Sequence, residues 1–200
     1  MKKIFLSLIF TLLIQGCSFI DYRTVAVDSY SKAEKIGGSY YIELPSNYIQ
    51  LQNQVFANLI KETLASKGYI FIASKERAKT IINFLYEVKG PYGAENPYPI
   101  PVNTWWGSGY YGGLDDNFEM NCIEGIEFQQ YYVNKLTIIA STSEKQQIWE
   151  VQGSLKTENS DIGSAFPYLL LGVKPYVGVN SNKIIYTEVT EKSTKKLLEL

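Results

Sequence analysis

Tyr132-Val133-Asn134-Lys135-Leu136-Thr137-Ile138-Ile139-Ala140, the polar Ser141-Thr142-Ser143-Glu144-Lys145, and then Gln147-Ile148-Trp149-Glu150-Val151-Gln152-Gly153-Ser154-Leu155 decide the fold. The first run is rich in β-branched and aromatic residues, which suit a pleated, half-buried surface. It forms the core of a strand expected from Glu127 to Ala140. The five polar residues turn the chain, and the third run brings it back. There Trp149 and Val151 alternate against Ile148, Glu150 and Gln152. A period of two gives each strand a buried face and a wetter one, so the pair reads as an antiparallel hairpin with Trp149 in the core.

Upstream of the hairpin, Thr80 to Val88 reads as a longer strand, almost continuously apolar at its start and therefore central. Tyr69 to Ile72 is a short strand. Before it, residues 48–67 place Leu51, Val55, Phe56, Leu59, Ile60, Thr63 and Leu64 at helical spacing. Gln52, Asn53, Asn58, Lys61 and Glu62 fall largely on the other side of that helix, and Lys67-Gly68 closes it. Ser39 to Leu44, stopped by Pro45, and Thr24 to Ser29 are two further strands. Downstream, Asp161 can cap a helix over Ile162 to Val173 that Pro175 ends. A strand over Ile184 to Val189 and a terminal helix over Glu191 to Leu200 complete the chain. The expectation is a single α+β domain over residues 24–200. Its mostly antiparallel sheet is packed by one long amphipathic helix (48–67) and a second helix near 161–174.

The segment from Gly90 to Phe118 differs in composition, with Pro91, Pro97, Pro99 and Pro101 among many glycines and aromatics. Prolines exclude it from a central strand. It is either a hairpin or flap whose rings cover one sheet face or a recognition surface, since rigid amphipathic rings suit sugar faces and protein hot spots. The candidate interaction residues are Tyr98, Trp105, Trp106, Tyr110 and Tyr111.

The 200 residues hold no histidine, which removes Ser-His-Asp and Cys-His catalysis and every imidazole metal site. No metal, cofactor or enzymatic activity is expected. The alternative is a glycan-binding protein, or one that cleaves glycans with carboxylates drawn from Asp115, Asp116, Glu119, Glu124 and Glu127. Acidic loop residues are far more often solvated surface than catalytic pairs. The formal charge is -1 and no basic block stands out, so no nucleic-acid footprint is present.

The chain starts with the positive Met1-Lys2-Lys3 and an apolar run from Ile4 to Ile14, broken only by Ser7 and Thr11. This run is too short to span a bilayer, which needs about twenty residues. It matches a secretory signal over residues 1–16. Ile14-Gln15-Gly16-Cys17 resembles the lipobox of bacterial lipoproteins, with Gln15 a mild departure. That resemblance implies a thioether from Cys17 to diacylglycerol and a fatty acyl group on its freed amine. Several chains together give stable anchoring, at about 0.8 kcal/mol for each buried CH₂. Residues 17–23 would be the lipidated N-terminus and a short tether. Ser18 stands where Asp tends to mark retention at the inner membrane, so the outer membrane is expected, facing the periplasm. About six residues separate the lipid from Thr24, a reach of at most roughly 20 Å. Cys122 would then be left without an intramolecular partner, and it has no basic neighbour in sequence to activate it.

The whole pattern is similar to a group of small uncharacterised lipoproteins of Gram-negative bacteria that carry a domain of unknown function. The matching features are Cys17, Tyr40 to Pro45, Ala65-Ser66-Lys67-Gly68-Tyr69, the Glu-Arg-Ala turn before Thr80 and the Pro/Tyr/Trp/Gly-rich stretch. Ile148-Trp149-Glu150, Ala165-Phe166-Pro167-Tyr168-Leu169 and Pro175-Tyr176-Val177-Gly178 also match. Lys79 departs from the Asp that often follows the turn's alanine in those relatives. The resemblance supplies no catalytic residues. It implies a lipid-anchored interaction or assembly module whose partner is the membrane together with an envelope protein or a glycan.

Overall fold

The computed structural model describes residues 22–33, 37–45, 50–101 and 122–199. The chain forms β1 (Tyr22–Ser31), β2 (Gly38–Glu43), α1 (Gln50–Ala65), β3 (Tyr69–Phe71), β4 (Thr80–Pro101), β5 (Cys122–Ser141) and β6 (Gln147–Thr157). Then come α2 (Ile162–Val173), a 3₁₀ turn (Lys174–Tyr176), β7 (Ile185–Thr190) and α3 (Glu191–Leu198). The seven strands make one sheet in the order β3-β2-β4-β5-β6-β1-β7. From β4 to β7 every pairing is antiparallel, while β2 runs parallel to both β3 and β4. The parallel pair β2/β3 is bridged by α1, as parallel neighbours require a crossover.

The hairpin read from the sequence is β5/β6, with Ile138 opposite Val151 and Ala140 opposite Trp149. Leu136, Ile138, Ala140, Trp149, Val151 and Leu155 are all buried, so the period of two is realised on one face. Burying each large side chain there contributes about 1.5–3 kcal/mol. The same face takes Val25 and Val27 from β1, Tyr40 and Ile42 from β2, and Ile82, Phe84 and Tyr86 from β4. The intervening residues, such as Asp28, Tyr30, Leu85 and Gln152, face the other way and stay exposed.

The three described helices lie on the buried face. α2 is apolar on nearly every side because it sits between its neighbours, and its Phe166 ring stacks on Phe56 of α1 at 3.7 Å. Asp161 caps α2 by accepting a hydrogen bond from the Gly163 amide at 2.9 Å. Glycines let α2 sit close to the sheet. A Cβ on Gly172 would lie 2.7 Å from the Cβ of Val25, and one on Gly153 would lie 2.7 Å from a methyl of Val173.

Two expectations need correction. First, α1 does not bury the whole stripe read from hydropathy. Leu51 is 72% exposed and Val55 50%, whereas Asn53 is 1% exposed. The Asn53 amide donates to the Pro45 carbonyl at 3.1 Å and accepts from the Tyr86 hydroxyl at 3.2 Å. Those bonds satisfy a buried amide and rotate the buried face toward Asn53, Phe56, Ile60, Thr63 and Leu64. Second, the strand expected to end at Val88 runs on to Pro101, paired with β5 down to Cys122. The prolines do not stop it, because beyond Asn83 this strand has a partner on one side only. Pro97, Pro99 and Pro101 are two residues apart, so their missing N–H groups share one side, and an unpaired side tolerates them.

Candidate functional site

The extension of β4 and β5 is a two-stranded ribbon that leaves the sheet. Its base is a register shift between Lys89 and Tyr92, where Gly90 adopts φ 127°. A side chain at Gly90 would bring a Cβ to 2.9 Å from the Tyr131 carbonyl oxygen, so the bulge needs glycine. From there Tyr92 pairs with Tyr131 and Pro101 with Cys122.

The register fixes which end of the sheet the ribbon leaves. Tyr132 pairs with Thr157, and Leu155 pairs with Val25. The last residues of β6 and the first of β1 therefore lie beside the ribbon's base. Arg23, Lys156, Thr157, Glu158 and Asn159 line an open hollow of about 360 Å³ there. Two cations at this end rest on rings. The Arg23 guanidinium lies 4.7 Å from the centroid of Tyr168, and the Lys156 ammonium 3.8 Å from that of Tyr131. Tyr131 in turn packs against Tyr92 with centroids 5.4 Å apart. Below them, the buried Asn134 donates to Thr157 Oγ1 at 2.6 Å, and that hydroxyl donates to the Asn159 carbonyl at 2.6 Å, tying β5, β6 and the turn into α2.

Sequence reasoning placed its candidates on the connection that this ribbon carries. Tyr98 lies in β4 opposite Gly125, and its side chain is outside the described residues. Trp105, Trp106, Tyr110 and Tyr111 belong to residues 102–121, between the ends of β4 and β5, and lie outside the described residues, as does Cys17. The same holds for Asp115, Asp116 and Glu119. Glu124 and Glu127 fall in β5, opposite Pro99 and Asn96, and Cys122 opposite Pro101. A hairpin or flap was one reading of this segment, but neither its regular pairing out to Pro101 and Cys122 nor the ring-supported cations at its base were foreseen. The two-residue spacing of Pro97, Pro99 and Pro101 was the signal available for the ribbon.

Among the described residues, the groups with shifted proton affinity do not gather around this end or any one cleft. Lys75 is held above its usual range by a 2.6 Å hydrogen bond to Glu43 on the exposed surface. Glu76 is held low by its own backbone N–H and by Ser74. Glu191 is held low by the Lys195 ammonium one turn on, which is raised in return. Burial pushes Tyr40 up to about 12 and also raises Tyr69, whose oxygen accepts a 2.7 Å hydrogen bond from Trp149 Nε1 in the core. Among the described residues no group of three or more His, Cys, Asp or Glu side chains is placed to hold a metal. No described helix is long and apolar enough to cross a membrane.

These features define an α+β domain with helices on one sheet face and a ribbon projecting from the end where β1 begins. No family model matches the chain, and no curated protein matches it in sequence. Among solved structures it is similar to a PDZ domain protein from Parabacteroides distasonis, with a TM-score of 0.51 at 11% identity over 86% of this chain. It spans 40% of that protein's chain, and the likeness is one of fold alone. Two dodecamer structures of PelC from Paraburkholderia phytofirmans align over 76% of this chain at 13% and 12% identity, with TM-scores of 0.37 and 0.34. They are covered over 95% and 96% of their own length.

Proposed function

We propose that the protein is a lipid-anchored envelope lipoprotein, held through diacylglycerol and fatty acyl groups on Cys17 at the outer membrane and facing the periplasm. It acts as a non-enzymatic interaction or assembly module, with the projecting ribbon as its contact element. The observation that supports this reading most is the start of β1 at Tyr22, five residues after Cys17, at the end of the sheet from which the ribbon leaves. An anchored chain with so short a tether holds its ribbon close to whatever the anchor is set in. The signal-like residues 1–16 and Ile14-Gln15-Gly16-Cys17 support the anchor itself.

Cys17→Ser tests the reading. The variant should take up no labelled fatty acid and should move from the membrane to the soluble fraction. Labelling that persists in the variant overturns the anchor.

A further inference from the structure

The ribbon is longer than the tether. From Tyr92 to Pro101 it extends roughly 30 Å at about 3.4 Å per residue. The chain from Cys17 to Tyr22 reaches at most about 18 Å when fully extended. Tyr22 lies at the level of the ribbon's base, because it precedes Arg23, which lines the same hollow as Thr157, and Thr157 pairs with Tyr132. A domain standing on this end cannot hold the ribbon clear of the plane in which Cys17 is anchored. The far part of the ribbon either enters that plane or lies along it.

The side chains at this end match the depth at which they would sit. Tyr22 is 55% exposed and Tyr92 41%, with Tyr131 half-buried between Tyr92 and Lys156. Tyrosine rings with a polar tip settle at the boundary between headgroups and acyl chains, and the charged heads of Arg23 and Lys156 lie over rings at this same end. A protein strand is a poorer occupant of the ribbon. Pro97, Pro99 and Pro101 take donors away from one side of β4, which removes the ladder an added strand needs.

We infer that the ribbon and the tyrosines at its base rest on the phospholipid headgroup layer of the membrane that holds the protein. This rests on Cys17 carrying the lipid. The open face of the sheet and the β5/β6 turn, at the opposite end, then point into the aqueous compartment.

The test uses the full lipidated chain in vesicles of phosphatidylethanolamine and phosphatidylglycerol, after mass measurement of the acyl groups on Cys17. A chain without those groups overturns the anchor and is identified before any vesicle is made. In a Cys122→Ser background, single cysteines replace Asn96 in the ribbon or Glu144 in the distal turn, and each carries an NBD fluorophore. Dithionite should bleach the Asn96 label several-fold more slowly than the Glu144 label. Equal bleaching overturns the inference. So does protection of Asn96 that appears equally in lipid-free protein and grows with its concentration, since a second copy then covers the ribbon. Should Cys122→Ser disturb the fold, amide hydrogen exchange of the unsubstituted lipidated chain in vesicles is compared with that of Cys17→Ser in solution. Exchange over residues 92–101 and 122–131 should slow in the vesicles, with the β5/β6 turn unchanged. Equal exchange in the ribbon overturns the inference by this second route.

Discussion

Tyr40 shows how a single residue ties the core to the solution. It is 1% exposed, and its ring meets those of Tyr69 and Phe71 edge-on at 5.9 and 5.7 Å. Its hydroxyl lies 3.5 Å from the Lys61 carbonyl, too long for a strong bond. Burial disfavours the phenolate, so the folded value rises from 10.0 to about 12. Between those two values the unfolded chain sheds its proton while the folded one keeps it. The stabilisation is therefore complete below pH 10 and is lost as pH rises through about 12. The urea midpoint should fall across that window in the native chain. Tyr40→Phe cannot ionise and should fall less steeply, with a neutral-pH cost within about 1 kcal/mol for so weak a bond. Equal slopes in the two proteins sink the assignment. Trp149 was legible at this scale because its place in an alternating strand demands burial. Asn53 was not, because its partners are a carbonyl eight residues back and a hydroxyl thirty-three residues on. Hydropathy along one helix sees neither.

At the scale of the element, α2 is defined by how near it comes to the sheet. Gly172 and Gly153 remove side chains where the helix presses on β1 and where β6 meets Val173. A Cβ on Gly172 would meet three atoms of Val25 at 2.7, 2.8 and 2.9 Å, and both partners sit in fixed elements. Gly172→Ala should therefore destabilise the fold by about 1–3 kcal/mol, as overpacking does. Val25→Ala removes the two methyls at 2.8 and 2.9 Å and keeps the Cβ at 2.7 Å, so it relieves the crowding in part. The double variant should lose less than the sum of the two single losses, because the residues share one contact. Additive losses in urea unfolding count against this packing. The helix was readable in sequence from Asp161, the apolar run and Pro175, each a local signal. Its flanking by two other helices was not, since that depends on the order in which distant strands enter the sheet.

At the scale of the whole molecule, the described residues divide into a sheet with its buried core and a ribbon that leaves it. Among the described residues every member of the buried core lies outside 90–131, and β4 beyond Lys89 pairs only with β5. The single α+β domain was legible because alternation and helical spacing are periodic and local. The ribbon could be read as a hairpin or flap but its strand length could not, because proline was weighed residue by residue, while its tolerance depends on whether a strand has neighbours on one side or two. A domain built this way should survive the loss of its projection. Replacing residues 93–130 with Asn-Gly joins Tyr92 to Tyr131, which already face each other, through the two-residue turn that antiparallel strands favour. The shortened protein should unfold cooperatively, with its stability changed by no more than about 1 kcal/mol, because no described core contact is removed. Its lipidated form should stay on the membrane through Cys17 alone. A loss of several kcal/mol would instead make the ribbon part of the folding unit, and it could then no longer be regarded as an appendage whose purpose is contact.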